Sequence, residues 1–201
     1  MDEINAIAKK YNLKVLVDSS QAPGAKYKEK MAGTLGDIGV YSLNRHKNIQ
    51  CGEGGIAVTN DDELALRMQL IRNHAEAVTG SGQERFTPKS LVNMIGYNFR
   101  MTEIEAAIGY EQLKKLDAIN AHKIELSLYL NERLKKYDAI LLPKVRDEST
   151  HVYYMHVLKF KEEIAGISRA RFIEAIRAEG ISIWGGYLKP LYLEPHFQQK
   201  I

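Results

Sequence analysis

The chain has 201 residues, 45% of them hydrophobic and 26% charged, the balance of an ordinary soluble globular protein long enough for one large domain or two small ones. A net charge of +3, with acids interleaved among the bases, is too weak and too scattered to predict a nucleic-acid partner. One cysteine, Cys51, excludes an intrachain disulfide framework and suits a reducing cytoplasm; no signal peptide is expected at the start, and no run reaches the roughly 18 continuous apolar residues of a membrane span.

In chain order, residues 2–11 (DEINAIAKKY) place Ile4, Ile7 and Ala8 at helical spacing. KVLVDSS follows as a short β-branched strand with Asp18 at its carboxyl end. DIGVYSL near 37–43 and GIAVTN at 55–60 predict two further strands, and Asp61 and Asp62 mark a helix start leading into ELALRMQLIRNHA. Short apolar strands alternating with helices predict an α/β fold with its sheet buried on both faces.

Residues 76–92 are polar and glycine-bearing, a surface loop long enough for a functional role. Thr102 with Glu105 three positions on predicts a capping box opening the helix TEIEAAIGYEQLKKLDAIN. The helical pattern continues through AHKIELSLYLNERLKKY, too long for one helix, so a break is expected near 117–121. HVYYMHVLKF alternates like a strand, SRARFIEAIRAEG is a helix between a Ser168 cap and a Gly180 stop, and ISIWGGY is a strand entering a bend, with Trp184 expected as a buried anchor. This strand–helix–strand unit predicts a second, smaller domain, dividing the chain into residues 1–118 and 119–201.

The stretch SLNRHKNIQCGEGG poses the chemical question. Asp18 and Ser42 each end a predicted strand, where ligands of doubly wound sheets sit, and Lys47 follows Ser42 in the same connection. A carboxylate, a hydroxyl and an amine converging there match the needs of pyridoxal phosphate: an amine for a Schiff base, a carboxylate to keep the pyridine nitrogen protonated, and hydroxyl and backbone N–H groups for the phosphate. The glycines of Gly52–Gly55 allow a tight turn and close approach to a ligand. Residue by residue, however, the same features also read as a solvated lysine, a strand-end cap and a tight turn, and because lysine is mostly exposed this plainer reading prevails on spacing alone.

Four segments in order reverse that balance. VDSSQAPGA, GTLGDIGVYSLNRHKNIQCGEGGIAVTN, IRNHA and GYNFRMTEIEAAIGYEQLKKLD together resemble the DegT/StrS-type sugar aminotransferases, with similarity from about residue 4 to about residue 197. The resemblance implies fold type I of the pyridoxal-phosphate transferases, here a partial large-domain sheet plus a small α/β C-terminal domain. It implies that Lys47 is the Schiff-base lysine, Asp18 the aspartate paired with the pyridine nitrogen, Gln21 the glutamine against the ring, Ser42 a phosphate-binding serine, and Asn98 an asparagine reaching the phosphate of the neighbouring subunit's cofactor. It further implies a cytoplasmic homodimer with shared active sites that moves an amino group, usually from glutamate, to a keto group of a nucleotide-linked deoxysugar, in the service of polysaccharide or antibiotic sugar biosynthesis.

The sequence also departs from that pattern. Leu43, Asn44, Arg45 and His46 stand where many relatives have an aromatic residue and a histidine after the serine, which alters the expected substrate contacts. Relatives with histidine at the lysine position dehydrate deoxysugars instead, and Lys47, five residues after Ser42, argues against that outcome. Family members run to nearly twice this length, so the chain is expected to be partial, without the N-terminal segment that normally supplies a phosphate loop and a ring-stacking aromatic residue. A cofactor-free regulatory protein of the same fold is the remaining alternative. His74 reads more readily as a helix-end cap than as a substrate contact, Arg100 equally as an anion ligand or a surface partner, and Cys51 has no companion for a redox or metal motif.

Overall fold

The computed structural model describes residues 1–75, 94–186 and 189–199. By contact the chain forms two compact units, Met1–Leu128 with Lys144–His156, and Tyr129–Pro143 with Val157–Ile201. The sequence placed the division at 118/119; in the structure the chain leaves the first unit at Tyr129 and returns to it for Lys144–His156. The polar loop expected at 76–92 lies outside the described residues.

The first unit opens with helix α1 (Asp2–Lys10), whose acidic start and basic end both suit the helix dipole. Ala8 is buried, whereas Ile4 and Ile7 on the same face stay exposed. Strand β1 (Leu16–Asp18) follows, then an antiparallel pair, β2 (Lys26–Tyr27) and β3 (Lys30–Met31), and a single 3-10 turn at Ala32–Thr34. Strand β4 (Ile38–Ser42) runs parallel to β1 and antiparallel to β5 (Gly55–Val58), giving a three-stranded sheet in the order β1–β4–β5. The register sets Leu16 opposite Ile38, Val17 opposite Gly39 and Asp18 opposite Val40. The faces of this sheet are not fully covered: Leu16 of β1 and Ile56 of β5 are exposed, against the expectation of a sheet buried on both sides.

One face of β4 is closed by its own chain. The 3-10 turn lies flat on Gly39, where a Cβ would meet the Gly33 carbonyl oxygen at 1.7 Å, so this contact exists because residue 39 has no side chain. The Tyr41 hydroxyl, on the same face by strand alternation, accepts a hydrogen bond from the Gly33 N–H at 3.0 Å. The opposite face of β4 therefore carries Val40 and Ser42.

Helix α2 (Asp62–Arg72) starts at Asp61, whose side chain accepts from the N–H groups of Glu63 and Leu64. Helix α3 (Glu103–Leu113) opens on the expected capping box of Thr102 and Glu105, each side chain satisfying the other's backbone N–H. The helical run then breaks at Lys114 and Lys115, slightly earlier than the pattern suggested, and resumes as α4 (Leu116–Leu134). A core of Leu43, Ile49, Cys51 and Leu116, flanked by Met101 and Ile119, ties α4 to the connection between β4 and β5.

In the second unit β6 (Ile140–Leu141) pairs antiparallel with β7 (Lys159–Phe160). Helices α5 (Glu162–Ala165) and α6 (Arg169–Ala178) follow, the latter capped by Ser168, and Phe172 stacks on Phe160 at 4.4 Å between ring centroids. A 3-10 turn at Leu191–Leu193 and the short α7 (Pro195–Gln198) complete the described elements. Two predicted strands are corrected. Of HVYYMHVLKF only Lys159–Phe160 is strand, because Tyr153 turns left-handed (φ 45°) and the chain kinks there. Residues 181–186 of ISIWGGY form no strand, and Trp184, expected as a buried anchor, is 73% exposed. No helix among the described residues is long and apolar enough to cross a membrane.

Candidate active site

Parallel pairing brings two of the predicted residues to one sheet edge. Asp18 ends β1 opposite Val40, and Ser42 ends β4 two residues farther on. Because facing residues share a side and alternate residues repeat it, Asp18, Val40 and Ser42 project from the same face, the one that the 3-10 turn leaves open.

The connection from Ser42 to Gly55 is not a free loop. The β4–β5 ladder, whose last pair is Ser42 with Gly55, continues beyond the strands: Leu43 N–H donates to Gly54 O, Cys51 N–H to Leu43 O, and Arg45 N–H to Gly52 O, all within 2.8–2.9 Å. The tip turns where Lys47 N–H donates to Asn44 O at 2.9 Å. The Ser42 hydroxyl accepts from the Asn44 N–H at 3.2 Å, and the Asn44 side chain accepts from the His46 N–H while donating to Glu53. Buried Leu43, Ile49 and Cys51 anchor both arms of this extension, leaving Lys47 half-buried and Arg45 and His46 exposed. The glycine run supplies the turn expected of it, with Gly52 at φ +95°.

Lys47 and Asp18 lie within electrostatic reach. Asp18 accepts the Ser20 N–H at 2.9 Å. The Ser20 hydroxyl and then the Ser20 N–H hold its carboxyl below the ordinary carboxylate range against desolvation, with the charge of Lys47 the weakest influence in the lowering direction, so Asp18 is ionised at neutral pH. The Lys47 ammonium also sits 4.7 Å from the centroid of the Tyr154 ring. Tyr154 was legible only as one letter of a strand-like run, and sequence reasoning missed it as a neighbour of Lys47.

The other predicted residues are placed less closely. Gln21 is exposed in the turn after β1, which is closed by Ala22 N–H donating to Ser19 O. Asn98 is exposed on a segment laid antiparallel to the end of α2, where it bridges Asn73. Beside it Tyr97 and Phe99 stack at 5.0 Å, and exposed Arg100 donates to the Asn73 side chain at 2.7 Å. His74 follows the helix end in the left-handed region (φ 59°) and donates its backbone N–H to Tyr97 O. Cys51 is buried, its thiol raised by burial, and it donates to Glu53 O at 3.3 Å. No cluster of metal-ligating side chains occurs among the described residues.

The donor set fits pyridoxal phosphate: an amine for the aldehyde, an ionised carboxylate for a protonated pyridine nitrogen, and a strand-end hydroxyl suited to phosphate, all at one edge. Comparison with known proteins agrees with that chemistry. The model of the DegT/DnrJ/EryC1/StrS aminotransferase family matches residues 1–201. The GDP-perosamine synthase of Caulobacter vibrioides is 34% identical over 182 residues, 90% of this chain and 47% of the relative. The solved aminotransferase from Psychrobacter cryohalolentis superposes with a TM-score of 0.83 at 30% identity, covering 98% of this chain and 53% of that one. The E. coli GDP-4-keto-6-deoxy-D-mannose-3-dehydratase, solved with bound hydrated pyridoxal phosphate, superposes with a TM-score of 0.73 at 28% identity over 90% of this chain and 48% of that one. The chain thus spans about half the length of the relatives it matches.

Proposed function

Because the chain belongs to the DegT/DnrJ/EryC1/StrS aminotransferase family, pyridoxal-phosphate enzymes of fold type I, we propose that it carries the lysine side of a site that transfers an amino group from glutamate to a keto group of a nucleotide-linked deoxysugar. In this reading Lys47 would hold the cofactor covalently through Nζ, and the same amine, when free, would serve as the general base for the proton on the substrate carbon. Asp18, kept ionised by Ser20, accepts the pyridinium N–H. Ser42 would offer its hydroxyl to the phosphate, Gln21 would lie against the ring, and Asn98 would reach the phosphate held by a second copy of the chain. When bound, the cofactor supplies an electron-withdrawing ring that stabilises negative charge on the substrate carbon.

The observation that carries the proposal is the convergence of Asp18 and Ser42 on one face at the carboxyl ends of adjacent parallel strands, with Lys47 in the hydrogen-bonded connection that follows Ser42. Nucleotide sugars are the substrate class favoured by the GDP-perosamine synthase relative. The test is to incubate the purified chain with pyridoxal phosphate, reduce with borohydride and map the labelled peptide. Label on Lys47, lost in Lys47→Ala, supports the proposal; label distributed over surface lysines with none preferred overturns it. Glutamate-dependent conversion of the cofactor to its amine form tests the donor, and an amino sugar rather than a dehydrated sugar as product separates transfer from dehydration.

A further inference from the structure

Next to Lys47 in the chain stands a buried asparagine whose amide is fully used. Asn48 Nδ2 donates to Asn120 Oδ1 at 2.8 Å and to the Val152 carbonyl at 3.0 Å, while its Oδ1 accepts from Lys123 Nζ at 3.0 Å. Asn120, equally buried on α4, donates its Nδ2 to the Pro23 carbonyl at 2.9 Å. Two facing amides therefore join three segments far apart in sequence. One holds Lys47; one, through Val152, leads two residues on to Tyr154, whose ring meets the Lys47 ammonium; one, through Pro23, leads back to Gln21 and Asp18.

The junction is built to close tolerances. Gly24 follows Pro23 at φ +83°, and a Cβ on it would stand 2.5 Å from Asn120 Nδ2, so the helix can reach the Pro23 carbonyl because that position is glycine. Burial lowers the Lys123 pKa, a sign that its amine gives up water to hold the Asn48 oxygen. A buried amide that loses its partner costs the full desolvation of the orphaned group, so these four contacts stand or fall together.

We propose that Asn48 and Asn120 are positioning residues that fix Lys47 in place relative to Asp18 and Tyr154, resting on the reading above that Lys47 is the anchor amine. The position of the lysine can be read without cofactor. A tyrosine ring at 4.7 Å shifts the resonances of the Lys47 ε-methylene, which selective lysine labelling resolves and Lys47→Arg assigns. Asn48→Ala and Asn120→Ala are expected to abolish that ring shift and to slow adduct formation at Lys47 on the order of 10- to 100-fold. Ser127→Ala, a buried polar change on the same helix outside the network, should leave both unchanged. If Asn48→Ala fails to fold, Asn48→Asp keeps volume and the Lys123 contact while removing both donors, and should lose the shift as well. Parent-like Lys47 resonances in a folded Asn48 variant, or an equal loss in Ser127→Ala, overturn the inference. A parent protein that shows the ring shift but never labels at Lys47 overturns the cofactor reading alone and leaves the positioning network standing.

Discussion

The Lys47 ammonium rests 4.7 Å from the centre of the Tyr154 ring, although 107 positions of sequence (154 − 47) separate them. A cation over an aromatic face is worth about 0.5–2 kcal/mol according to its exposure, and the attraction depends on the ring rather than on the hydroxyl. Tyr154→Phe is therefore expected to keep the rate of borohydride-trapped labelling at Lys47 within about twofold of the parent, and Tyr154→Ala to change it by a factor of roughly 2 to 30. Peptide mapping of trapped protein at several times gives both rates. Equal rates for Phe and Ala would remove the ring from the account.

Ser20 is expected to control the charge of Asp18. Its hydroxyl is the foremost influence lowering that pKa. Ser20→Ala removes the hydroxyl but keeps the backbone N–H, so the Asp18 carboxyl should titrate at higher pH than in the parent. Since the native pKa is depressed, the associated stabilisation is present above the unfolded aspartate value and lost as pH falls through the native one; in Ser20→Ala the stabilisation is smaller and its loss is complete at a higher pH. Side-chain carbon NMR across the acid range reads the titration directly.

Asp18→Asn should separate attachment from chemistry. Lys47 keeps its amine, so labelling by pyridoxal phosphate is expected to persist. Conversion of the cofactor by glutamate should fall on the order of 10²-fold or more, because a neutral amide does not hold a pyridine nitrogen protonated. Loss of labelling and conversion in equal measure would place Asp18 in attachment instead.

Thr102→Ala should remove the cap of α3 at a cost of about 1 kcal/mol, seen as a lower denaturant midpoint with an unchanged slope. The Thr102 hydroxyl, then the Thr102 N–H, lowers the Glu105 pKa. The carboxylate part of the cap is accordingly present above the ordinary glutamate value and lost as pH falls through the depressed one, so the gap between parent and variant should narrow in acid, the Glu105 N–H bond to the Thr102 hydroxyl remaining.

Gly39→Ala is the most disruptive change expected. Its methyl would stand 1.7 Å from the Gly33 carbonyl, a backbone atom with no rotamer to yield. Overpacking costs about 1–3 kcal/mol where side chains can adjust, and here the 3-10 turn itself must lift off β4. Thermal unfolding of Gly39→Ala beside Gly55→Ala, whose Cβ meets ordinary contact at 3.5 Å, checks this.

What the sequence made legible follows from where the physics is local. Caps are read within four residues, so Asp61, Thr102 with Glu105, and Ser168 were placed correctly. Strand ends carrying Asp18 and Ser42 follow from short apolar runs, but their shared face needed the β1–β4 register, which no local pattern encodes. HVYYMHVLKF misled because alternation assumes that neighbours face opposite ways; Val152 and Tyr153 are both 4% exposed, possible because the chain kinks between extended and left-handed backbone. Asn48 and Asn120 lie 72 positions apart and no local pattern links them, so nothing short of the fold pairs them.

The ladder that prolongs β4 and β5 past their last strand pair separates packed from exposed side chains along a single short connection. Its inward side chains, Leu43, Ile49 and Cys51, are committed to packing, while Arg45 and His46 face outward and bear none of that burden. Exchange of the outward pair is therefore expected to leave the packing that holds Lys47 undisturbed, so exposed and packed positions can vary independently within one short connection.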